Sequence, residues 1–566
     1  MMVRMEHPKP QFRRDVWQNL NGEWAFEFDP DVTGWEKGFA DGRHPFSQTI
    51  QVPFCMESTL SGIGERGFMK CVWYRQTVIL TAAQLTGRVR LHIGAADYET
   101  VLYMNGRECG RHCGGYASFF FDITDHVKKG ENVITLQVLD DTRDKRIPSG
   151  KQSEAEASYG CFYTRTTGIW QTVWLEFLPA THLETVRYTT DIDAASVAID
   201  AAVCGEGTLT VEAFYEGRPV GKAAASAANG KAVLTLLLSE THLWELGHGR
   251  LYDLVLTFGD DVVYSYVGLR EAKLVGEQFL LNGRSVFQRL VLDQGYYPDG
   301  IYTAPSDEAL AADIDRAMAC GFNGARLHEK VFEERFLYHC DRKGYLVWGE
   351  YPNWGLDHTC MENAPYILNE WLSVIERDRN HPSIVGWCPF NETWDQGEVR
   401  QSDELIASVY HATKAADPSR PCIDTSGNYH VVTDIFDLHD YDQDPDVFAE
   451  HYAAFATGGS LFDKLGDRQT YTPGQPVMIS EYGGIRWAMD QTGRGYGDAP
   501  TTVEEFLSRF ERLTGALLNN PHIMGLCYTQ LYDVEQEQNG LYTYDRRPKF
   551  DVDIFCRILS RKAAIE

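Results

Sequence analysis

The segment NHPSIVGWCPFNETWDQG, residues 380–397, decides how the second half of the chain folds. A turn signal opens it, an almost wholly apolar run follows over 384–390, and the run stops abruptly at Asn391 and Glu392. A short apolar run without polar alternation is typical of a strand buried on both faces. Such strands belong to parallel sheets covered by helices, and the residues at their carboxyl ends face the open end of the sheet.

The sequence around this segment alternates amphipathic helices with short apolar strands from residue 273 onward. In SDEALAADIDRAMACGF, Leu310, Ile314 and Ala317 share one helical face, and Gly321 ends the helix. The predicted strands are 285–293, 323–327, 345–350, 384–390, 421–426, 434–441, 476–482 and 523–532. Alternating β and α units with eight strands predict a closed (β/α)₈ TIM barrel over residues 273–566.

The first half of the chain predicts two all-β domains. Residues 1–178 contain short alternating strands and a hairpin turn at Asn105-Gly106, which predicts a jelly-roll β-sandwich. Residues 179–272 continue with smaller strands, and this length and pattern are typical of an immunoglobulin-like β-sandwich. The fold class is therefore multidomain, β followed by α/β.

Composition excludes several classes of partner. The 566-residue chain carries a net charge of −29, which opposes binding to nucleic acid and to anionic membrane surfaces. No apolar leader or membrane-length apolar run is visible, and the 13 cysteines are scattered without a CxxC pair. We therefore expect a cytoplasmic protein with reduced thiols, and the sequence leaves a homo-oligomer open.

Only Cys109, His112 and Cys113 suggest a metal site, and they lack a second ligand pair. They lie in a strand-rich region, where such a spacing is more often incidental. We expect no metal and no other cofactor.

Two glutamates end separate barrel strands in this prediction. Glu392 ends the fourth strand and Glu481 ends the seventh, so both would face the barrel mouth. A pair of carboxylates in one cleft is the minimum equipment for hydrolysing a glycosidic bond. The apolar run and Trp394 beside Glu392 favour a raised pKa, as a general acid needs, and the hydroxyl of Tyr482 would stabilise the anion of Glu481.

Polar residues also end several other predicted strands. Each alone is more often a salt-bridge partner or a solvated residue than a ligand. They are Asp293, His328, Glu350, Asp424, His439, Tyr441 and Gln530.

At this point the sequence resembles a known family. NHPSIVGWCPFNETW and VMISEYGG resemble the two active-site segments of family 2 glycoside hydrolases, the group that contains β-galactosidases and β-glucuronidases. WQNLNGEWAFEFD and TTGIWQTVWLE resemble that family's sugar-binding jelly roll, and FLLNGRSVFQRLV resembles its passage into the barrel. The resemblance implies a retaining exo-glycosidase that acts on a small carbohydrate or glycoconjugate.

The resemblance also implies roles for single residues. Glu392 matches the acid/base, Glu481 the nucleophile, and Asn391 the asparagine that binds the sugar's 2-hydroxyl. Arg326 and Tyr441 match an arginine of the second strand and a tyrosine near the nucleophile, whereas His328 stands two residues beyond the arginine instead of the family's three. The remaining candidate sugar ligands are Asp293, His439, Trp394, Trp487 and Glu537.

Two departures from the family's patterns bear on the substrate. Glu537 and Asn539 stand where β-glucuronidases have the asparagine and lysine that bind the uronate, and a glutamate there would repel a carboxylate. The Glu-x-His pair of metal-dependent β-galactosidases is missing from EYPNWGLDH, which again predicts no metal. These departures favour a β-galactosidase-type activity on a neutral sugar. The alternatives are an α-L-arabinofuranosidase, a β-mannosidase or β-uronidase of the same family, and a carbohydrate-binding protein without catalysis.

Overall fold

The computed structural model describes residues 3–488 and 493–566 of the chain. Two antiparallel sandwiches are followed by a parallel sheet whose strands alternate with helices. The predicted fold class, a jelly roll, an immunoglobulin-like sandwich and a TIM-type barrel, is confirmed.

The first sandwich packs a six-stranded sheet against a four-stranded sheet. Its strands are β1 (Trp17–Asn19), β2 (Gly22–Phe28), β3 (Gln48–Val52), β4 (Cys71–Leu80), β5 (Arg88–Ile93), β6 (Ala96–Asp97), β7 (Glu99–Met104), β8 (Arg107–Cys113), β9 (Phe119–Asp122), β10 (Gly130–Leu139), β11 (Gly168–Ile169) and β12 (Val173–Leu178). The sheet orders are β3-β2-β4-β10-β7-β8 and β1-β12-β5-β9, with β6 and β11 as a separate pair. Alternate residues of the strands, such as Trp24, Leu91 and Leu136, form the apolar core.

The second sandwich is smaller and has its own core. Its strands are β13 (His182–Asp191), β14 (Ser196–Cys204), β15 (Thr208–Tyr215), β16 (Arg218–Ser226), β17 (Lys231–Leu237), β18 (Tyr252–Phe258) and β19 (Asp261–Val267). They form the sheets β13-β14-β17 and β16-β15-β18-β19 around residues such as Ile199, Val211 and Leu256. We propose the domain boundaries near residues 178 and 272 because the sheets change there.

A short sheet of β20 (Ala272–Val275), β21 (Gln278–Leu281) and β22 (Arg284–Ser285) leads into the barrel. The barrel strands are β23 (Gln288–Asp293), β24 (Gly324–Leu327), β25 (Leu346–Glu350), β26 (Ile384–Cys388), β27 (Phe436–Asp440), β28 (Val477–Gly483) and β29 (Ile523–Thr529). The helices are α1 (Asp307–Ala319), α2 (Glu334–Lys343), α3 (Ala364–Asp378), α4 (Asp403–Ala416), α5 (Pro445–Ala453), α6 (Val503–Leu518) and α7 (Val552–Leu559). All seven strands are parallel, in the order β26-β25-β24-β23-β29-β28-β27, and every residue of β26 is buried. Within residues 3–488 and 493–566, no helix combines the length and the apolar character needed to cross a membrane.

In helix α1 the local sequence specifies both the ends of the helix and the face that it buries. The side chain of Ser306 accepts a hydrogen bond from the Ala309 amide at 3.2 Å, which satisfies a donor that the first helical turn leaves unpaired. Leu310 and Ile314 are buried on the inner face, and Gly321, with φ +94°, follows the last turn. The predicted helix and its inner face are confirmed.

The fifth predicted barrel strand is the exception. Residues 421–426 form only isolated parallel bridges to the β26 segment, Trp387 with Cys422 and Asn391 with Ser426. On the other side, the Asp434 carboxylate accepts the Cys422 amide at 2.9 Å, so a side chain takes the place of a ladder partner. The segment still lies between β26 and β27, but the prediction of a regular strand is wrong.

Gly386 in β26 packs closely against Trp348, and a substitution at this position tests how tightly the strand is packed. A Cβ atom at this position would lie 2.3 Å from a ring carbon of Trp348, whose indole is held by a 2.7 Å hydrogen bond to Gln288. We expect Gly386→Ala to lower the free energy of unfolding by about 1–3 kcal/mol because the ring has little room to move. Gly466→Ala, where the nearest atom is 3.5 Å away, is the matched control. Calorimetric unfolding checks this, and equal midpoints for the two variants would contradict it.

Candidate active site

The structure brings Glu392 and Glu481 together at one end of the barrel. One carboxylate oxygen of each, and an imidazole nitrogen of His439, lie within 4.8 Å of one another. Glu392 follows β26, and its amide donates to the Ser426 carbonyl at 3.0 Å. Its φ of +46° is a left-handed conformation that a non-glycine residue adopts at a cost, as residues at functional sites often do.

The Arg326 guanidinium, which is 1% exposed, joins the strands around this pair. It donates to Glu481 Oε1 at 3.1 Å and to the Ser480 carbonyl at 2.7 Å. It also contacts Glu350 Oε1 at 2.5 Å and donates to Asn391 Oδ1 at 3.2 Å. Arg326 therefore positions Glu481 and Asn391.

Asn391 is held on three sides and keeps one free donor. Its amide donates to Asn353 Oδ1 at 2.7 Å, and its carbonyl accepts from Trp354 Nε1 at 3.0 Å. Its side-chain oxygen accepts from Arg326, whereas its buried Nδ2 donates to no residue of the described chain. A buried amide nitrogen without an acceptor is ready to bind a hydroxyl of a ligand.

Glu481 receives a second hydrogen bond from Tyr441, whose hydroxyl donates to Oε2. The Tyr441 ring stacks on Tyr496 with a centroid distance of 3.5 Å. Burial and the nearby charge of Glu481 raise the pKa of Tyr441 well above its ordinary value, so the phenol stays a donor. The expectation that Tyr482 would stabilise Glu481 is wrong. Neighbouring residues of a strand point to opposite faces, and the Tyr482 hydroxyl pairs with Thr514 Oγ1 at 2.8 Å.

The Glu392 carboxylate is hydrogen-bonded to His439 rather than enclosed by apolar groups. Its Oε1 lies 2.8 Å from His439 Nδ1, and His439 Nε2 is 3.4 Å from Glu481 Oε1. Burial alone would raise the pKa of Glu392, but the hydrogen bond and charge of His439 lower it to about 2. The predicted raised pKa is therefore wrong for the free protein. Trp394 is 44% exposed and lines a pocket together with Glu392.

His328 reaches the site although its spacing from Arg326 departs from the family's pattern. Its Nδ1 lies 3.0 Å from Glu350 Oε2 and 3.9 Å from Glu481 Oε1. Burial lowers the pKa of His328, which favours the neutral imidazole. A role as a sugar ligand stays a prediction.

Two other candidates are held elsewhere. The Asp293 carboxylate accepts the Tyr532 hydroxyl and the Gly295 amide, the latter at 2.9 Å. The Trp487 ring packs against Phe550 at a centroid distance of 5.5 Å, in the apolar core of the barrel. The described contacts of Asp293 and Trp487 are with these groups and not with Glu392 or Glu481, and their roles as sugar ligands stay predictions.

The first sandwich completes the rim of the site, which sequence reasoning missed. The Ser149 amide donates to the Trp354 carbonyl at 2.7 Å, and the Tyr163 hydroxyl donates to Glu537 Oε2. A pocket of about 360 Å³ lies beside Glu392 between the sandwich and the barrel. Its lining includes Phe162, Trp354, Leu356, Trp394, Gln152 and Thr142. No local sequence signal marks these contacts, because they join residues more than 200 positions apart.

The described residues offer two groups of three metal-ligand atoms. One consists of Glu392, His439 and Glu481, and the other of His182, Glu184 and Cys204. In the first group the carboxylate oxygens already accept hydrogen bonds from His439, Arg326 and Tyr441, so a cation would have to displace these donors. The absence of a metal stays a prediction. The tentative CGRHC site is not among the groups, and the His112 ring instead stacks on Phe119 at 3.7 Å.

A barrel with two neighbouring glutamates at strand ends, one of them held by a buried arginine, has the groups that a glycoside hydrolase needs. The chain matches the model "Glycosyl hydrolases family 2, sugar binding domain" over residues 17–179. It matches "Glycosyl hydrolases family 2, TIM barrel domain" over residues 273–540. The chain belongs to glycoside hydrolase family 2.

Known relatives carry two activities in their names. A beta-glucuronidase of Paenibacillus borealis is 25% identical over 96% of this chain and 97% of its own length. A beta-galactosidase of Bacteroides ovatus is 27% identical over 68% of this chain and 48% of its own length. The solved structure of a β-glucuronidase from Ruminococcus gnavus with D-glucuronic acid is similar in fold, with a TM-score of 0.80, 19% identity and coverage of 99% and 100% of the two chains.

The pair formed by His439 and Glu392 predicts a pH effect. In His439→Leu the hydrogen bond and charge that lower the pKa of Glu392 are lost while burial remains, so this pKa rises. If the protonated form is the one that acts, the basic limb of kcat/KM for an alkyl glycoside moves to higher pH. A dinitrophenyl glycoside is the internal control. Its leaving group needs no proton, so the basic limb of its kcat/KM profile should not move. An unchanged limb for the alkyl glycoside would show that His439 does not set this pKa.

Proposed function

We propose that this chain is a retaining exo-glycosidase that hydrolyses β-linked glycuronides. The observation that carries the mechanism is the spacing of Glu392 and Glu481, of which one oxygen each lies within 4.8 Å. Retaining enzymes hold their carboxyl groups about 5–5.5 Å apart, whereas inverting enzymes need about 6.5–9.5 Å to admit a water molecule. The spacing supports direct attack by a carboxylate on the sugar.

Glu481 is the nucleophile in this proposal. Its two oxygens accept from Arg326 and Tyr441, which orient the carboxylate. It forms a bond to the anomeric carbon while the glycosidic oxygen leaves with a proton from Glu392. Water then breaks this bond, with Glu392 as the base, and the sugar is released with retained configuration.

Glu392 must be protonated in the first step and ionised in the second. Its lowered pKa supplies the ionised form that the second step uses. His439 Nδ1, 2.8 Å from Oε1, orients the carboxylate. The proton that Glu392 gives to the leaving oxygen in the first step is replaced by the proton that Glu392 takes from water in the second.

The free donor of Asn391 and the adjacent pocket suit the two halves of a substrate. The unpaired Nδ2 can donate to the sugar's 2-hydroxyl, a bond that strengthens in the transition state. The pocket beside Glu392 offers the rings of Phe162, Trp354 and Trp394 to the leaving group. Aromatic faces of this kind pack on planar aglycones and on the apolar faces of sugars.

The uronide class is supported by the relatives rather than by the motif that usually marks it. Several relatives of 25–28% identity bear the name beta-glucuronidase. A neutral β-galactoside is the second candidate, as predicted from the sequence, and one observation favours it. Glu537, 5% exposed, and Asn539 bond to each other at 3.0 Å where a uronate-binding pair would stand.

A trapping experiment tests both the mechanism and the substrate class. A 2-deoxy-2-fluoro-β-glucuronyl fluoride should label Glu481 covalently, and faster than the corresponding galactosyl fluoride, as read by mass spectrometry of the digest. Glu481→Gln is the control and should take no label. A label on another residue, or a product of inverted configuration, would overturn the mechanism. Faster labelling by the galactosyl reagent would leave the mechanism and move the substrate to the neutral class.

The acid/base role of Glu392 predicts a dependence on the leaving group. Glu392→Ala should slow hydrolysis of an alkyl glycoside by about 10²–10⁴-fold, because the departing oxygen loses its proton donor. Formation of the glycosyl-enzyme from a dinitrophenyl glycoside should be slowed much less, and added azide should restore turnover with a glycosyl azide of retained configuration. Glu481→Ala, the control, should show neither effect. Equal losses on all leaving groups without azide rescue would exclude the role.

A further inference from the structure

Lys151 is a lysine of the first sandwich that is fixed against the barrel. The residue is 6% exposed, and its carbonyl accepts the Tyr163 amide at 2.7 Å. The preceding residue, Gly150, donates to the Trp354 carbonyl at 3.0 Å. The main chain around Lys151 is therefore tied to the barrel segment that also supports Asn391.

The side chain of Lys151 points to the catalytic end of the barrel. Its Nζ lies 3.7 Å from the centre of the Trp354 ring, and the same indole donates to the Asn391 carbonyl at 3.0 Å. The ammonium thus lies one aromatic ring away from the residue that precedes Glu392. A cation above an indole is held in place, but its hydrogen-bond donors stay available.

No acceptor in the described chain takes these donors, which sets Lys151 apart from the other buried lysines. Lys549 is paired with Asp533 at 2.6 Å, and Lys330 donates to two carbonyls, those of Gly295 and Tyr302, at 2.6 and 2.8 Å. An ammonium whose donors bond to no protein group can bind an anionic group of a ligand. The Lys151 ammonium is therefore available to bind an acceptor that belongs to the substrate.

The charges around the ammonium keep it protonated. Burial alone would lower the pKa of Lys151, but the nearby acidic groups, Cys161 first and then Glu537, Glu392 and Glu481, raise it above its ordinary value. In return, the Lys151 charge contributes to the lowered pKa of Glu392. Together with the Trp354 ring that links Lys151 to Asn391, these mutual effects place the ammonium on the side of the site where the two glutamates lie.

We propose that Lys151 binds the carboxylate of the uronic acid, an assignment that rests on the proposed glycuronidase function. Glu537 does not compete for this position by direct contact, because its two oxygens are occupied by Tyr163 and Asn539. Its negative charge repels a substrate carboxylate, and the Lys151 ammonium offsets this repulsion. The first sandwich thus supplies a cation where positions 537 and 539, a glutamate and an asparagine, offer none.

Pairs of nitrophenyl glycosides that differ only at C6 test this assignment. We expect the wild type to prefer the β-glucuronide to the β-glucoside, or the β-galacturonide to the β-galactoside. Lys151→Met should lower kcat/KM on the uronide on the order of 30-fold or more, because a buried charge pair is broken. The ratio of the two kcat/KM values isolates the lost pair, because the effect of the Lys151 charge on Glu392 is common to both substrates and the neutral sugar makes no such pair. Lys151→Arg should retain part of the uronide activity, and Lys129→Met, an exposed lysine of the same sandwich, should behave as wild type.

Inhibitor binding gives a reading that does not depend on turnover. Calorimetric titration with glucaro-1,5-lactone and glucono-1,5-lactone compares ligands with and without the carboxylate, and Lys151→Met should weaken only the first. A retained Tm and retained binding of the neutral lactone exclude misfolding. If the wild type prefers uronides and the variant loses both members of a pair equally, or neither, the role of Lys151 is overturned and the proposed function stands. If the wild type prefers neutral glycosides, the substrate class is overturned and the role of Lys151 with it.

Discussion

The buried guanidinium of Arg326 is the interaction on which the site depends. Its fixed planar array of donors contacts Glu350 on β25, Glu481 and the Ser480 carbonyl on β28, and Asn391 beyond β26. These groups come from three different strands, so one side chain sets their mutual distances. Without it, buried carboxylates would lose their counter-charge, which costs far more than a surface ion pair.

The positions of Glu392 and Glu481 could be predicted because topology alone places strand ends at one edge of a parallel barrel. The directions in which the neighbouring side chains point were harder to predict from the sequence. Tyr482 follows Glu481 in sequence but points to the opposite face, toward α6. Trp487 lies beyond the strand end, where strand geometry no longer indicates which side chains face the site, and it joins the apolar core. Periodicity fixes which element a residue belongs to, whereas packing fixes what it touches.

The electrostatic properties of the site could not be predicted from the sequence, for a related reason. The apolar sequence before Glu392 suggested a carboxyl with a raised pKa, but its partner His439 lies 47 positions away and reverses the shift. A contact made by folding also explains why residues 421–426 do not form a regular strand. The Asp434 carboxylate accepts the Cys422 amide, which a neighbouring strand would otherwise have bound. A pKa depends on groups brought near by folding, and one hydrogen bond can outweigh the local sequence.

The rim of the site is built by two domains, since Lys151 and Tyr163 reach it from the first sandwich while the glutamates belong to the barrel. A change of the Lys151 side chain can therefore alter which sugar is bound while the main-chain hydrogen bonds of residues 149–151 and the distances that Arg326 sets are kept. Substrate preference can thus evolve through side chains of the sandwich, while the barrel keeps the residues that carry out the reaction.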